Sequence, residues 1–288
     1  MNGVSKGGEH PLWSRAGFKP GSRIKLILAM SAVADKIVLV TGGSGGLGAA
    51  LARGFAGQNY RVVIAARRRE KLQELADAMA QDGAQVLAIA CDVTDREQVR
   101  NLGAEIAKRW GAVQILVNNA GIARAVSFSD MLDEQWDETL DTNLTGAYNC
   151  CKVFLPGMIQ AKWGRIINIA STTAKVGYSH VTAYTASKHG LLGLTRSLAL
   201  ETARQGITVN AICPGYVNDE RTHENARVMA EKTGQRVEEI LKFFAASAPQ
   251  NRLIEPEEVA SLALLMASEN LSGMTGQAIN VDGGAVMV

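Results

Sequence analysis

Tyr184 and Lys188 stand four residues apart in Thr182–Arg204, a segment whose spacing predicts a helix. That spacing places both side chains on one helix face. An ammonium beside a phenol stabilises the phenolate, which predicts a tyrosine pKa lowered from its usual value of about 10. Such a phenol can protonate a carbonyl oxygen, or deprotonate an alcohol in reverse. Taken alone, the pair reads by default as a solvated helix face, so its chemistry depends on what else the chain brings to it.

Thr41–Gly48 reads T-G-G-S-G-G-L-G, between a β-branched run, Ile37–Thr41, and a segment of helical spacing, Gly46–Asn59. Two phosphate-binding spacings overlap here. Gly43, Gly45 and Gly48 satisfy G-x-G-x-x-G, and Gly42, Gly46 and Gly48 satisfy T-G-x-x-x-G-x-G. Either lets a pyrophosphate approach the backbone and meet the free N–H groups of a helix N-terminus. Gly42, Ser44, Gly45, Gly46, Leu47 and Gly48 are therefore candidate cofactor contacts.

An acid roughly 20 residues further on would take the ribose hydroxyl of NAD. The chain instead reads Ala66-Arg67-Arg68-Arg69, with no carboxylate before Glu70. A guanidinium at Arg67 suits the 2′-phosphate of NADP. The plainer reading is the solvated start of a helix, although a cation there opposes the helix dipole.

These groups need a scaffold, and the chain alternates strand-like and helix-like segments from Lys36 onward. Ile37–Thr41, Arg61–Ala66, Gln85–Ala90, Val113–Val117, Gly164–Ala170 and Ile207–Ile212 read as strands. Gly46–Asn59, Arg69–Asp82, Asp95–Trp110, Glu134–Cys151 and Thr182–Arg204 read as helices. The alternation predicts a single-domain α/β fold of Rossmann type, a doubly wound parallel sheet with helices on both faces. Residues 33–288 form this domain. Asn218–Gln250 is polar, breaks the rhythm, and is expected to be a substrate lid over about 218–250.

The chain resembles the short-chain dehydrogenase/reductases over about residues 36–284. The likeness is carried by Thr41–Gly48, Asp92, Asn118-Asn119-Ala120-Gly121, Asn143, Ser171, Tyr184, Lys188 and Pro214-Gly215. Ser171 precedes Tyr184 by thirteen residues, the family's spacing. The resemblance implies that Tyr184 is the proton donor and that Ser171 holds the substrate oxygen. Lys188 would hold the nicotinamide ribose and lower the Tyr184 pKa, while Asn143 anchors a water. It also implies that Asp92 and Val93 receive the adenine and that Asn118 packs near the adenosine ribose. Asn119, Ala120 and Gly121 would both brace the sheet and touch cofactor. Pro214, Gly215 and Val217 would contact it after the sixth strand.

The sequence departs from the family where a threonine usually meets the carboxamide. Asp219 holds that place, and either Asp219 itself or a shifted Thr222 would have to serve. The resemblance further implies a tetramer. Leu191, Leu192, Leu194, Leu198 and Leu200, on more than one side of Thr182–Arg204, are compatible with it, as is the apolar terminus Ala278–Val288.

Composition excludes other classes. The net charge is +2, too small to imply nucleic acid. Residues 1–32 carry five bases and one acid, a net of +4, which leaves −2 for the rest. No apolar run reaches the roughly 18–20 residues of a membrane span. The basic leader is expected to be a disordered tail, with Met30 as an alternative start. Cys91, Cys150, Cys151 and Cys213 form no C-x-x-C pair and lie near no histidine cluster, so no metal is expected and the compartment is read as reducing and cytoplasmic. Segment Gly164–Val217 looks most like ketoreductases of acyl-carrier and polyketide pathways and like 3-hydroxy-acid dehydrogenases. The expectation is NADPH-dependent reduction of a ketone, a 3-oxoacyl thioester or related carbonyl. The alternative is NAD-dependent oxidation of a small hydroxy acid or secondary alcohol. Lys162 and Arg204 are read as bases flanking the site, able to meet an acidic thioester carrier, or else as a solvated face. His180 is a candidate pocket residue.

Overall fold

Strand β1, Ile37–Thr41, is buried along its whole length, and its residues alternate between two cores. Val38 and Val40 join one cluster, Ile37 and Leu39 the other. A β-branched run buried on both faces is what a central parallel strand requires. The computed structural model describes residues 36–288; the predicted tail at 1–32 lies outside the described residues.

Six more strands complete the sheet: β2 (Arg61–Ala66), β3 (Val86–Ala90), β4 (Ile115–Asn118), β5 (Gly164–Ile169), β6 (Ile207–Pro214) and β7 (Ala278–Val281). The order is β3-β2-β1-β4-β5-β6-β7, and every pairing is parallel. β2, β4, β5 and β6 are buried almost throughout, while the edge strands β3 and β7 are only half-buried. This bears out the doubly wound sheet.

One face is covered by α1 (Gly46–Ala56), α2 (Arg69–Gln81) and α9 (Pro256–Ala267), through Leu51, Phe55, Leu72 and Val259. The other is covered by α3 (Arg96–Arg109), α5 (Gly146–Ala161) and α6 (Thr182–Thr202), through Leu102, Ile106, Phe154 and Ala199. The predicted helix Glu134–Cys151 is in fact three pieces: α4 (Asp133–Leu140), a π turn at Asp141–Thr145, and α5. α5 runs ten residues past the predicted end and carries Pro156 in its interior.

Asn218–Gln250 forms a helical hairpin, α7 (Glu220–Thr233) and α8 (Val237–Ala246), with its own small core of Ala226, Ala230, Ile240 and Phe244. Strand order reverses between β1 and β4, which neighbour each other with Val38 opposite Ile115. In such sheets the ligand crevice opens beyond the carboxyl ends of the strands at the reversal.

Candidate active site

Thr41 ends β1 at that crevice and ties its two sides together. Its hydroxyl oxygen accepts from the N–H groups of Asn119 and Ala120, each at 3.1 Å. The Asn119 amide donates back to the carbonyls of Thr41 (3.0 Å) and Gly42 (3.2 Å). The loop after β4 thus holds the glycine loop in shape. Gly42 has φ +66°, and a Cβ there would come within 2.8 Å of Ala120 Cα. A Cβ on Gly48 would come within 2.2 Å of Gly42 O. Of the two overlapping spacings, Gly42, Gly46 and Gly48 therefore make the turn. Gly43 packs on Ile64, and Gly45 is the extended residue before α1.

No side chain caps α1 within its own turn. Instead Leu47 N–H donates to Asp219 Oδ2, at 3.4 Å. A carboxylate thus touches the amides to which a diphosphate would bind. The glycine cradle and this stand-in anion show that the residues present fit a dinucleotide.

Gly42, Ser44, Ala120 and Gly121 line a cleft of about 210 Å³. So do Arg67, Asp92 and Val93, at the end beside β2 and β3. Asp92 Oδ1 is held by the Thr94 N–H and hydroxyl, both at 2.9 Å. Pro214, Gly215 and Val217 lie at and just beyond the carboxyl end of β6 and do not line this cleft; Gly215 N–H donates to Val281 O at 3.0 Å and Val217 bridges to Ile254.

The four catalytic candidates converge from three places: the π turn, the end of β5 and α6. Asn143 is buried in the π turn and exchanges two bonds with Ile122: its Oδ1 accepts from Ile122 N–H at 2.8 Å, and its Nδ2 donates to Ile122 O at 2.9 Å. A Cβ on Gly121 would lie 3.1 Å from Asn143 Oδ1 and 3.6 Å from Lys188 Nζ, so these three groups meet. Lys188 is buried and donates to Ile169 O at the end of β5, at 2.7 Å. Its Nζ lies 5.7 Å from the centroid of the Tyr184 ring. Ser171 bonds the Tyr184 phenol and also accepts from Thr173 N–H, at 3.2 Å.

The electrostatics differ from the sequence expectation. Burial pushes the Tyr184 phenol above its ordinary value; the Arg221 charge and the Ser171 bond oppose it without prevailing. Burial, reinforced by Arg221, pushes Lys188 down to about 7. Desolvation disfavours the charged form of each group, so it raises one pKa and lowers the other. Tyr184 therefore carries its proton at neutral pH, as a proton donor must.

Placement corrects two other expectations, for Asn118 and for the pair Lys162 and Arg204. The Asn118 amide is spent beneath the crevice on Asn168 Oδ1 (2.8 Å) and Cys151 Sγ (3.5 Å), so it braces the sheet. Lys162 precedes β5 and Arg204 precedes β6, which sets both at the amino ends of the strands, away from the crevice. Asp219 faces the glycine loop and caps α7 through Thr222 N–H at 3.0 Å, while Thr222 itself is buried. His180 takes a left-handed φ of 64°, and its carbonyl accepts from Val126 N–H at 2.8 Å. Arg68, Thr142 and Arg221 also line the cleft and went unassigned in the sequence. The run of arginines signalled the first; nothing local signalled the other two. Burial raises the thiols of Cys91 to about 11 and Cys151 to about 12, so neither is a nucleophile.

A match to the family model described as short chain dehydrogenase spans residues 36–230. The chain belongs to the short-chain dehydrogenases. It is an NAD(P)-dependent oxidoreductase of that family. It is 40% identical over 260 residues to the protein assigned as ketoacyl reductase 1 of the granaticin polyketide synthase from Streptomyces violaceoruber, covering 87% of this chain and 93% of that one. It is 34% identical to D-beta-hydroxybutyrate dehydrogenase of Cupriavidus necator, covering 87% and 98%. A variant of actinorhodin polyketide ketoreductase, solved with NADPH, superposes with a TM-score of 0.85 at 36% identity, covering 87% and 97%. Among the described residues no helix is long and apolar enough to cross a membrane.

The Lys188 value has a consequence for this short-chain dehydrogenase. Its ammonium is present below about 7 and lost above it, while the Tyr184 proton stays in place. If the ammonium holds the cofactor ribose, kcat/KM for reduction should fall as pH rises through about 7, since that ratio reports groups of the free enzyme. A profile flat across neutral pH would contradict this.

Proposed function

We propose that the protein reduces a ketone with NADPH, and that the substrate is a 3-oxoacyl thioester or a related carbonyl compound. The observation that carries the reading is the pair Arg67 and Arg68, both lining the crevice at the end of β2 where NAD would call for a carboxylate. The bound dinucleotide supplies the hydride. Tyr184 gives its proton to the developing alkoxide, and Ser171 holds the same oxygen. Lys188 holds the ribose, and Asn143 anchors the water that restores the proton. The likeness to a ketoacyl reductase and to an NADPH-bound ketoreductase supports this direction. The relative named as a hydroxybutyrate dehydrogenase supports the second reading, NAD-linked oxidation of a small hydroxy acid.

The test is Arg67→Asp, assayed by oxidation of NADPH and NADH against a panel of ketones and acetoacetyl thioesters. The substitution removes a charge-assisted contact and adds a repelling carboxylate. NADPH should weaken relative to NADH by at least about tenfold, or roughly 1.4 kcal/mol. A wild type that already prefers NADH discards the NADP reading.

The reading includes a cytoplasmic tetramer. The apolar faces left open are smaller than the sequence suggests: Leu191 and Leu192 are buried within the chain, and Leu200 is 84% exposed. Tyr148 and Ile159 on α5, with Met287 and Val288 at the terminus, add to them. Light scattering at micromolar concentration should give about four times 30.7 kDa; a single-chain mass refutes the assembly.

A further inference from the structure

The first turn of α7 brings three charged side chains to the glycine loop. Asp219 reaches Leu47 N–H, as described. Glu220 pairs with Lys71 at 3.5 Å, and a Cβ on Gly45 would lie 3.5 Å from its carboxylate. Arg221 comes next. It lines the crevice with Gly42, Ser44, Gly121, Ile122 and Thr142. Unlike the two acids before it, it makes no hydrogen bond or ion pair among the described residues.

A dinucleotide laid on the N-terminus of α1 puts its diphosphate against this turn. There it meets the Asp219 carboxylate, already at the Leu47 amide, and Glu220 nearby. Like charges at that range repel, and the amides of α1 are partly taken. A cation is needed on the same side to offset them. Arg221 is there with its five donors unspent among the described residues, in the planar fork that matches a phosphate edge.

We infer that Arg221 is a cofactor clamp, whose guanidinium grips the diphosphate of the dinucleotide from the α7 side, opposite the amides of α1. The inference rests on nicotinamide-dinucleotide binding and not on the NADP preference, because NADPH and NADH carry the same diphosphate. Arg221 is then a binding residue that also ties α7 to the loaded state. Its charge also bears on Tyr184 and Lys188, which sets it toward the catalytic end of the crevice.

The test is calorimetric titration of the full chain with NADPH and NADH, without substrate, for wild type, Arg221→Gln and Arg221→Lys. Arg221→Gln should raise both Kd values by roughly tenfold or more, the scale of one charge-assisted contact. Arg221→Lys should recover part of this, since it keeps the charge and loses the fork. The unfolding midpoint of the free protein should not move, because the side chain is exposed and, among the described residues, unpaired. Removing a like charge should also shift the Lys188-linked limb of the pH profile upward. Unchanged Kd values in Arg221→Gln overturn the clamp. So does weak binding with a lowered midpoint that lysine does not restore. So does an unchanged Kd with a raised KM for acetoacetate alone, which would assign the guanidinium to a substrate carboxylate. If Arg67→Asp fails to separate NADPH from NADH while Arg221→Gln weakens both, the NADP preference falls and the clamp stands.

Discussion

Tyr184→Phe should lose turnover by roughly 10²- to 10⁴-fold, the usual worth of a positioned proton donor. The effect should fall on kcat, with the dinucleotide Kd and the unfolding midpoint close to wild type. The substitution removes one hydroxyl from a half-buried ring and leaves the ring in place. Ser171, its partner, still accepts from Thr173 N–H at 3.2 Å, so its oxygen keeps a bond. Lys188 keeps its bond to Ile169 O at 2.7 Å. Steady-state kinetics with a reducible ketone, alongside calorimetry, decide it. Turnover within a few-fold of wild type would remove Tyr184 from the proton-donor role.

Gly48→Ala should damage both folding and cofactor binding. The added methyl would lie 2.2 Å from Gly42 O and 2.8 Å from Asn119 Nδ2, and neither neighbour is free to retreat. Gly42 is itself packed on Ala120, and the Asn119 amide is bonded to both Thr41 O and Gly42 O. To admit the methyl, α1 must move away from the loop. Overpacking of this kind costs about 1–3 kcal/mol, read as a lower denaturant midpoint. Displacing the helix N-terminus also moves the amides that a diphosphate needs, so the dinucleotide Kd should rise by well over tenfold, an additional ~1.4 kcal/mol or more. Gly45→Ala is the control. Its backbone is extended, and its Cβ would meet only the ends of Glu220 and Arg68, at 3.5 and 4.0 Å. It should keep the wild-type midpoint. If Gly48→Ala behaves like Gly45→Ala, the close approach of α1 to the loop is wrong.

Much of the scaffold was legible in the sequence because the signals are local. The apolar run Ile37–Thr41 can only be a strand buried on two faces, and β2, β5 and β6 follow the same logic. Tyr184 and Lys188 share a face because four residues are just over one helical turn. The glycine loop, and the absence of a carboxylate after β2, are likewise short-range patterns. Element ends were less legible. The π turn holding Asn143 arises inside a stretch that reads as one helix, and α9 was not distinguished from the surrounding chain, though Pro256 and Glu258 mark its start.

Everything that depends on what packs against a group was decided only by the tertiary structure. Adjacency predicts that Lys188 lowers the Tyr184 pKa; burial reverses the direction, because desolvation is set by the whole shell around the phenol. The choice between the two glycine spacings came from the close approach of Ala120 to Gly42. Lys162 and Arg204 flank the site in sequence yet sit at the opposite end of the strands, because a parallel strand carries the chain across the sheet before it reaches the crevice. The meeting of Leu47 with Asp219 joins residues 172 positions apart. No local pattern encodes such a contact. It exists because the sheet order brings the end of β6 and the start of α1 to the same rim, and the charges of α7 acquire their meaning there.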